Sequence, residues 1–436
     1  MPVLDSGLLF NRTEQRTVKL VVSVANMGLQ SAAVRIELYT ADLSGGGDGY
    51  GSLRFASRKN IRLSSCGRDE SVFAGSFDTA ALPNFGVRLT ADGPGAGELT
   101  ATAAEQSAGG DYTQRHLLQT GLVRMDDYQL AYVANHAEHT VTVLQTASHT
   151  RLATIALPKG CRPRFMAAAP DGGSVFVTCQ GDRTVKRLRS LAYDGASDIR
   201  FPRQAVPYAI ALTPGGDRLF VSTLLEDAIH IIDAESGAIL HTVPLPESCD
   251  ASAIAISPDG AKVYVCLTAA SKIVILEADS GDIRTIIRLS EGSQPSSVAF
   301  SPTGELVYIT DVHHNGVLVL HTEGHGVAAR LDTGAGSKPH AIVFTPDGSL
   351  AYVANREGDE ITVINTARQE VLTSIELPSG SSANGMAVSS DGSKVYVPLL
   401  SFGYVAVIDV QSQQPVAIVP SGSFPSSVVI TSSPPV

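Results

Sequence analysis

From about residue 128 onward, apolar residues fall in short clusters of five or six, separated by Gly, Pro, Asp and Ser. The strings AYVAN (131–135), VFVTC (175–179), LFVST (219–223), VYVCL (263–267), VYITD (307–311), AYVAN (351–355) and VYVPL (395–399) are too short for helices. They are also rich in the β-branched and aromatic residues that suit a pleated strand. Their aromatic positions, Tyr132, Phe176, Phe220, Tyr264, Tyr308, Tyr352 and Tyr396, recur every 44 residues. A second marker keeps the same step: APDG at 169–172, TPGG at 213–216, SPDG at 257–260, SPTG at 301–304, TPDG at 345–348 and SSDG at 389–392.

Each unit carries four strand signals. In the sixth they are 341–345, a Pro-Asp-Gly turn, then 350–355, 360–364 and 370–377. Four strands in a unit of this length predict one propeller blade. The apolar slot of the last strand recurs seven times, at Ile155, Ile199, Val243, Ile287, Leu331, Ile375 and Val419, so seven blades are expected. Residues 425–431 (PSSVVIT) resemble the inner strand at 295–301 (PSSVAFS), which places 427–431 as the inner strand of blade 1. The rival for that place, 121–125, carries Arg124 at a position where the other copies are apolar or small.

Residues 1–105 lack the repeat. Strands are expected at 17–25, 31–40, 51–63, 70–77, 84–91 and 98–104, with alternation in VRIEL and VRLTA. The expected fold is therefore all-β: a small β-sandwich over 1–105, a connector over 106–120, and a seven-bladed β-propeller over 121–436.

Composition narrows the function. The chain has 40 Gly and 23 Pro, which the repeated turns absorb, and no Trp, which weakens any account built on Trp-lined sugar subsites. A formal net charge of −11 with only short basic runs argues against nucleic acid as a partner. No apolar run is long enough for a transmembrane helix, and the opening lacks a secretory signal pattern, which leaves localisation and export route open.

The two copies of YVAN, with the SPDG-like turns, resemble the YVTN family of β-propeller repeat proteins over roughly 122–431. That family, related to WD40-like propellers, includes surface-layer and adhesion-type proteins, and lactonases and some redox-enzyme subunits have similar propellers. The N-terminal region resembles the immunoglobulin-like sandwiches of bacterial surface proteins. The resemblance implies an extracellular or cell-envelope role.

Repeat alignment places one residue per blade around the channel mouth: Arg164, Tyr208, Ser252, Ser296, His340, Asn384 and Ser426. The plain reading is a solvated rim. The sharper one is a polar-ligand site with Arg164 as its fixed charge. His313, His314 and His340 are the candidate metal ligands, set against an exposed histidine cluster. Asp171, Asp259, Asp347 and Asp391 read as turn caps rather than calcium ligands. Cys161 and Cys249 are equivalent positions two blades apart, which argues against a bond between them, and Cys179 and Cys266 read as small buried thiols.

No residue is assigned a catalytic role and no cofactor is expected. The leading expectation is a noncatalytic binding or structural protein, a surface scaffold for a protein or glycan. One alternative is a lactonase-like hydrolase using Arg164 and His340 at the mouth. The other is a homo-oligomeric filament or layer subunit assembled through the sandwich.

Overall fold

The computed structural model describes residues 129–189, 198–246 and 249–431, together with the backbone of the strands before residue 129. Internal contacts divide the chain between Tyr128 and Gln129. In the first part, Val3–Phe10, Asn84–Asp92, Ala32–Ala41 and Leu53–Leu63 form one antiparallel sheet. Val72–Asp78, Lys19–Asn26, Leu99–Gln106 and Tyr112–Leu117 form another. How these sheets pack, and with it the expected sandwich, lies outside the described residues.

The second part is a seven-bladed β-propeller. Each blade is a four-stranded antiparallel sheet, lettered a to d from the channel outward. In blade 6 these are Pro339–Phe344, Leu350–Asn355, Glu360–Asn365 and Glu370–Glu376. Strands b and c are buried through their centres, whereas strand d is mostly exposed. This burial is why the b strands read as unbroken apolar runs and the d strands as mixed ones. Pro425–Thr431 is strand a of blade 1, hydrogen-bonded to strand b, Leu130–Asn135, with Val428 opposite Val133.

The Asp-Gly turns are capped locally. Asp347 accepts from the Thr345 hydroxyl and the Ser349 amide, and these bonds hold its carboxyl below the usual range. Gly348 needs to be glycine twice over. Its φ is +70°, and a Cβ there would lie 3.2 Å from Cδ of Pro302 in the preceding blade. The Pro and Gly of the repeated turn are therefore an interlock between neighbouring blades.

Two further slots are matched in blades 1, 4, 6 and 7. In the YVAN blades the buried Asn donates to a threonine on strand c: Asn135 Nδ2 to Thr142 Oγ1, and Asn355 Nδ2 to Thr362 Oγ1, both 2.8 Å. Blades 4 and 7 fill the same two slots with Leu267 and Val274, and with Leu399 and Ala406, all buried. An amide buried without its partner is costly, so these Asn residues face a threonine. Blade 5, with Asp311 and Leu318 in the two slots, satisfies its carboxylate from the Gln294 amide and His314 instead. Asn355→Leu should cost about 1–3 kcal/mol in denaturant unfolding, because it strands the Thr362 hydroxyl. Asn355→Leu with Thr362→Val should recover most of that loss. A double variant no more stable than the single one would refute the pairing.

The second pairing involves the aromatic slot. Tyr352 accepts from Gln413 Nε2 at 2.8 Å, and Tyr396 meets His149 Nδ1 at 3.0 Å, in each case on the c–d hairpin of the next blade. That hairpin position has positive φ and is Gly237 or Gly281 where the preceding blade carries Phe176 or Phe220. Glycine suits the backbone. His325 and Gln369 hold the same position after Tyr264 and Tyr308, whose buried hydroxyls lack a protein hydrogen bond.

Candidate functional site

Six of the seven inner strands begin with a register shift, and the extra residues are those aligned at the mouth. The pairing skips Ser252, Ser296, His340 and Ser426 singly, and it skips Arg164 and Tyr208 each with the residue that follows. A β-bulge of this kind re-aims a side chain out of the ladder.

The ring then divides by what those side chains touch. Ser252 donates to Pro295 O at 3.2 Å, and Ser296 to Pro339 O at 3.0 Å. Asn384 Nδ2 donates to Ser426 O, and Ser426 Oγ to Arg164 O, both at 2.8 Å. These four tie blade 4 to 5, 5 to 6, 7 to 1 and 1 to 2. Arg164, Tyr208 and His340 make no such side-chain bond among the described residues, and Tyr208 and His340 line the channel cavities.

The Arg164 guanidinium lies 5.2 Å from the Phe165 ring centroid and 5.7 Å from that of Tyr208, and the two rings meet edge to face at 5.2 Å. Stacking on both rings fixes it. No carboxylate pairs with Arg164 among the described residues. Burial, helped by the positive charges of Arg356 and Arg164, pushes the His340 imidazole down to about 4. It is therefore neutral at physiological pH.

A cavity of about 440 Å³ opens over blades 3 to 6. Three 44-residue slots build it. The bulge ring supplies Tyr208, Ser252, Ser296 and His340, the preceding loop Asp250, Gln294 and Lys338, and the ends of strands b Leu224, Thr268, Val312 and Arg356. Lys338 is paired with Glu357 at 3.1 Å. Arg356 has no carboxylate partner among the described residues. A second cavity, of about 230 Å³, runs down the channel past Asn384 and Ser427. Asn384 Oδ1 and Ser427 Oγ are buried there without a protein hydrogen bond.

The candidate metal histidines separate. His314 Nδ1 is bound to Asp311 Oδ2 at 2.8 Å and His313 packs against His314, on the outer loop of blade 5, while His340 lines the channel cavities. Burial raises the Asp311 carboxyl, but bonds from the Gln294 amide, His314 and Ser293 outweigh it and hold the group low. Among the described residues, one set of three metal-donor side chains converges, and it lies elsewhere: Cys161, Cys179 and Asp182.

The reading of Cys179 as a free thiol is corrected: it forms a disulfide with Cys161. The partner of Cys161 is not its repeat equivalent but the end of the neighbouring strand in its own blade, 18 residues on. Cys249 and Cys266 are buried free thiols, and burial raises both; Cys249 also donates to Asp227 Oδ1.

The ring, its blade-to-blade ties and its open mouth define a seven-bladed β-propeller with a polar central cavity. The chain belongs to the YNCE-like beta-propeller family, whose sequence model matches residues 117–435. No curated protein sequence matches it. Among solved structures it is similar to a functionally unknown protein from Desulfotomaculum acetoxidans, at 19% identity and TM-score 0.61, covering 69% of this chain and 98% of that one. It is also similar to a candidate 6-phosphogluconolactonase from Bacteroides uniformis (14%, TM-score 0.57, 70% and 99% covered). A third is virginiamycin B lyase from Staphylococcus aureus (15%, TM-score 0.53, 60% and 85% covered). At these identities the likeness is one of fold alone.

Proposed function

We propose that the propeller is a noncatalytic binding module whose mouth takes a small polyhydroxy monoanion. The observation that carries this is Arg164, a half-buried guanidinium held on two aromatic faces, with no carboxylate partner among the described residues and opposite a neutral His340. With Lys338 offset by Glu357, the cavity lining sets Arg356 against Asp250, and Arg164, on the blade 2 bulge outside that lining, tips the mouth toward one negative charge on the ligand. Tyr208 and Gln294 offer hydrogen bonds to hydroxyls, while Ser252 and Thr268, which donate to Pro295 O, keep lone pairs to accept from them. On the surrounding loops, exposed Leu225, Phe402 and Phe424 suit a protein or glycan contact of the scaffold kind.

Calorimetry with D-gluconate tests the reading, with sorbitol as its uncharged counterpart. Gluconate should bind and sorbitol should not, and Arg164→Ala should weaken gluconate at least about tenfold, the effect of losing a charge-assisted bond of 1.5–3 kcal/mol. Because His340 stays neutral down to about pH 4, affinity should be constant through the neutral range and rise only as that value is approached. Equal binding of gluconate by the chain and the variant would refute the assignment.

The hydrolase reading rests on the same pair, with Arg164 stabilising an oxyanion and neutral His340 moving the proton. Its support is their common place at the mouth. Turnover of gluconolactone above the spontaneous rate, abolished in His340→Ala, would favour it over binding alone.

A further inference from the structure

We propose that blade 2 carries a redox-gated site for a thiophilic divalent cation of the zinc and cadmium class, formed by reduced Cys161 and Cys179 together with Asp182. Ligand atoms of these three residues lie within 4.8 Å of one another. In the disulfide the sulfurs are bonded to each other and cannot serve as thiolates, so the site exists only in the reduced chain.

The repeat shows why sulfur stands here. Later units fill the Cys161 slot with Ala205, Cys249, Ser293, Ser337 and Ser381, and the Cys179 slot with Thr223, Leu267, Asp311, Asn355 and Leu399. The two slots face each other across strands a and b, as the Ser293 to Asp311 hydrogen bond in blade 5 illustrates. Blade 2 is the unit with sulfur at both.

The two loops are also locked together. The Gly181 amide donates to Cys161 O at 2.9 Å and the Gln180 amide to Arg162 O at 3.2 Å. A Cβ on Gly181 would sit 1.7 Å from Gly160 O, so this close approach admits only glycine. The turn from Cys179 to Asp182 is thereby held over Cys161 before any ligand arrives. Asp182 is itself oriented: Thr184 donates to Oδ1 at 2.8 Å, and Lys186 lies 2.9 Å from Oδ2. Lys186, buried, is also 2.9 Å from Asp198, so it keeps a carboxylate when Asp182 shares an oxygen with a cation. Partners of this kind orient metal ligands from the outside.

The chemistry balances with a dithiol reductant. It supplies two electrons and two protons, the S–S bond breaks to two thiols, and the reductant leaves as its own disulfide. The cation then displaces the two thiol protons and forms two metal–sulfur bonds. Asp182 gives the third donor and water the fourth, a tetrahedral set that soft thiolates bias toward zinc or cadmium over magnesium or calcium.

The test uses the full chain, reduced without air and titrated with Cd²⁺, with the ultraviolet thiolate-to-cadmium band as readout. The reduced chain should take up one Cd²⁺ and the oxidised chain none. Cys161→Ser and Cys179→Ser should lose the band, and Asp182→Asn should weaken binding about tenfold or more. Alkylation mapped by mass spectrometry needs no variant: Cd²⁺ should protect Cys161 and Cys179 of the reduced native chain. Absence of the band, its survival in Cys179→Ser, or alkylation of both cysteines at an unchanged rate would overturn the proposal.

Discussion

Deleting residues 425–436 is expected to abolish cooperative thermal unfolding of the propeller, while deleting 432–436 alone leaves it intact. Strand b of blade 1 is buried throughout, and its inner edge is covered by Pro425–Thr431 and nothing else in that sheet. Without that strand the ring opens and a full row of backbone groups is left unpaired beside an apolar face. The loss extends past one blade. Val428 packs in a cluster with Tyr396 and Val405 of blade 7. Ser426 receives Asn384 from blade 7 through its carbonyl and donates to Arg164 of blade 2 through its hydroxyl. The deletion thus removes a strand that touches both the last blade and the second, leaving blade 7 joined to blade 1 through side-chain bonds such as Tyr396 to Thr146. Circular dichroism melts of the two deletions decide it. A 425–436 deletion that melts as sharply as the full chain, near the same temperature, would contradict closure as the source of cooperativity.

Tyr396→Ala should destabilise the propeller by about 3–5 kcal/mol, the range for removing a fully buried large aromatic ring. Tyr396→Phe separates ring from hydroxyl. That hydroxyl donates to Thr146 O at 3.0 Å and meets His149 at 3.0 Å, so its loss should cost about 1 kcal/mol. Tyr264 supplies the contrast, because its buried hydroxyl has no protein partner. Tyr264→Phe should therefore be neutral or slightly stabilising. Denaturant unfolding of the three variants orders them, and an equal cost for the two phenylalanine substitutions would show that the hairpin partner contributes nothing.

The sequence periodicity carried the propeller because it repeats whole structural reasons. The Pro-Asp-Gly turn recurs since Pro302 meets Gly348 across blades, and the aromatic slot recurs since each ring fills the same inter-blade space. The likeness of 425–431 to 295–301 reflects a shared bulge and shared pairing. The mouth was only partly legible. Periodicity located Arg164, Tyr208, Ser252, Ser296, His340, Asn384 and Ser426, but it could not tell a side chain facing the channel from one turned back onto the next blade's carbonyl. Short donors such as Ser296 and Ser426 reach that carbonyl, whereas Arg164, Tyr208 and His340 are too long or too bulky to fold back in that way. Lys338, Thr268 and Arg356, which line the same cavity, stand in 44-residue slots of their own outside the inner strand, where no aromatic or turn marker flags them. The disulfide escaped for a related reason. Repeat equivalence pairs Cys161 with Cys249, while bonding depends on the neighbour across one sheet, Cys179.

The most direct test of the mouth as an anion site is a crystal of the full chain grown with D-gluconate. The predicted result is ligand density at the channel mouth, reaching from blade 2 into the cavity over blades 3 to 6, with the carboxylate against the Arg164 guanidinium and hydroxyls toward Tyr208 and Gln294. A filled crystal with gluconate bound only outside the mouth, or with Arg164 paired to a carboxylate of its own chain, would contradict the account.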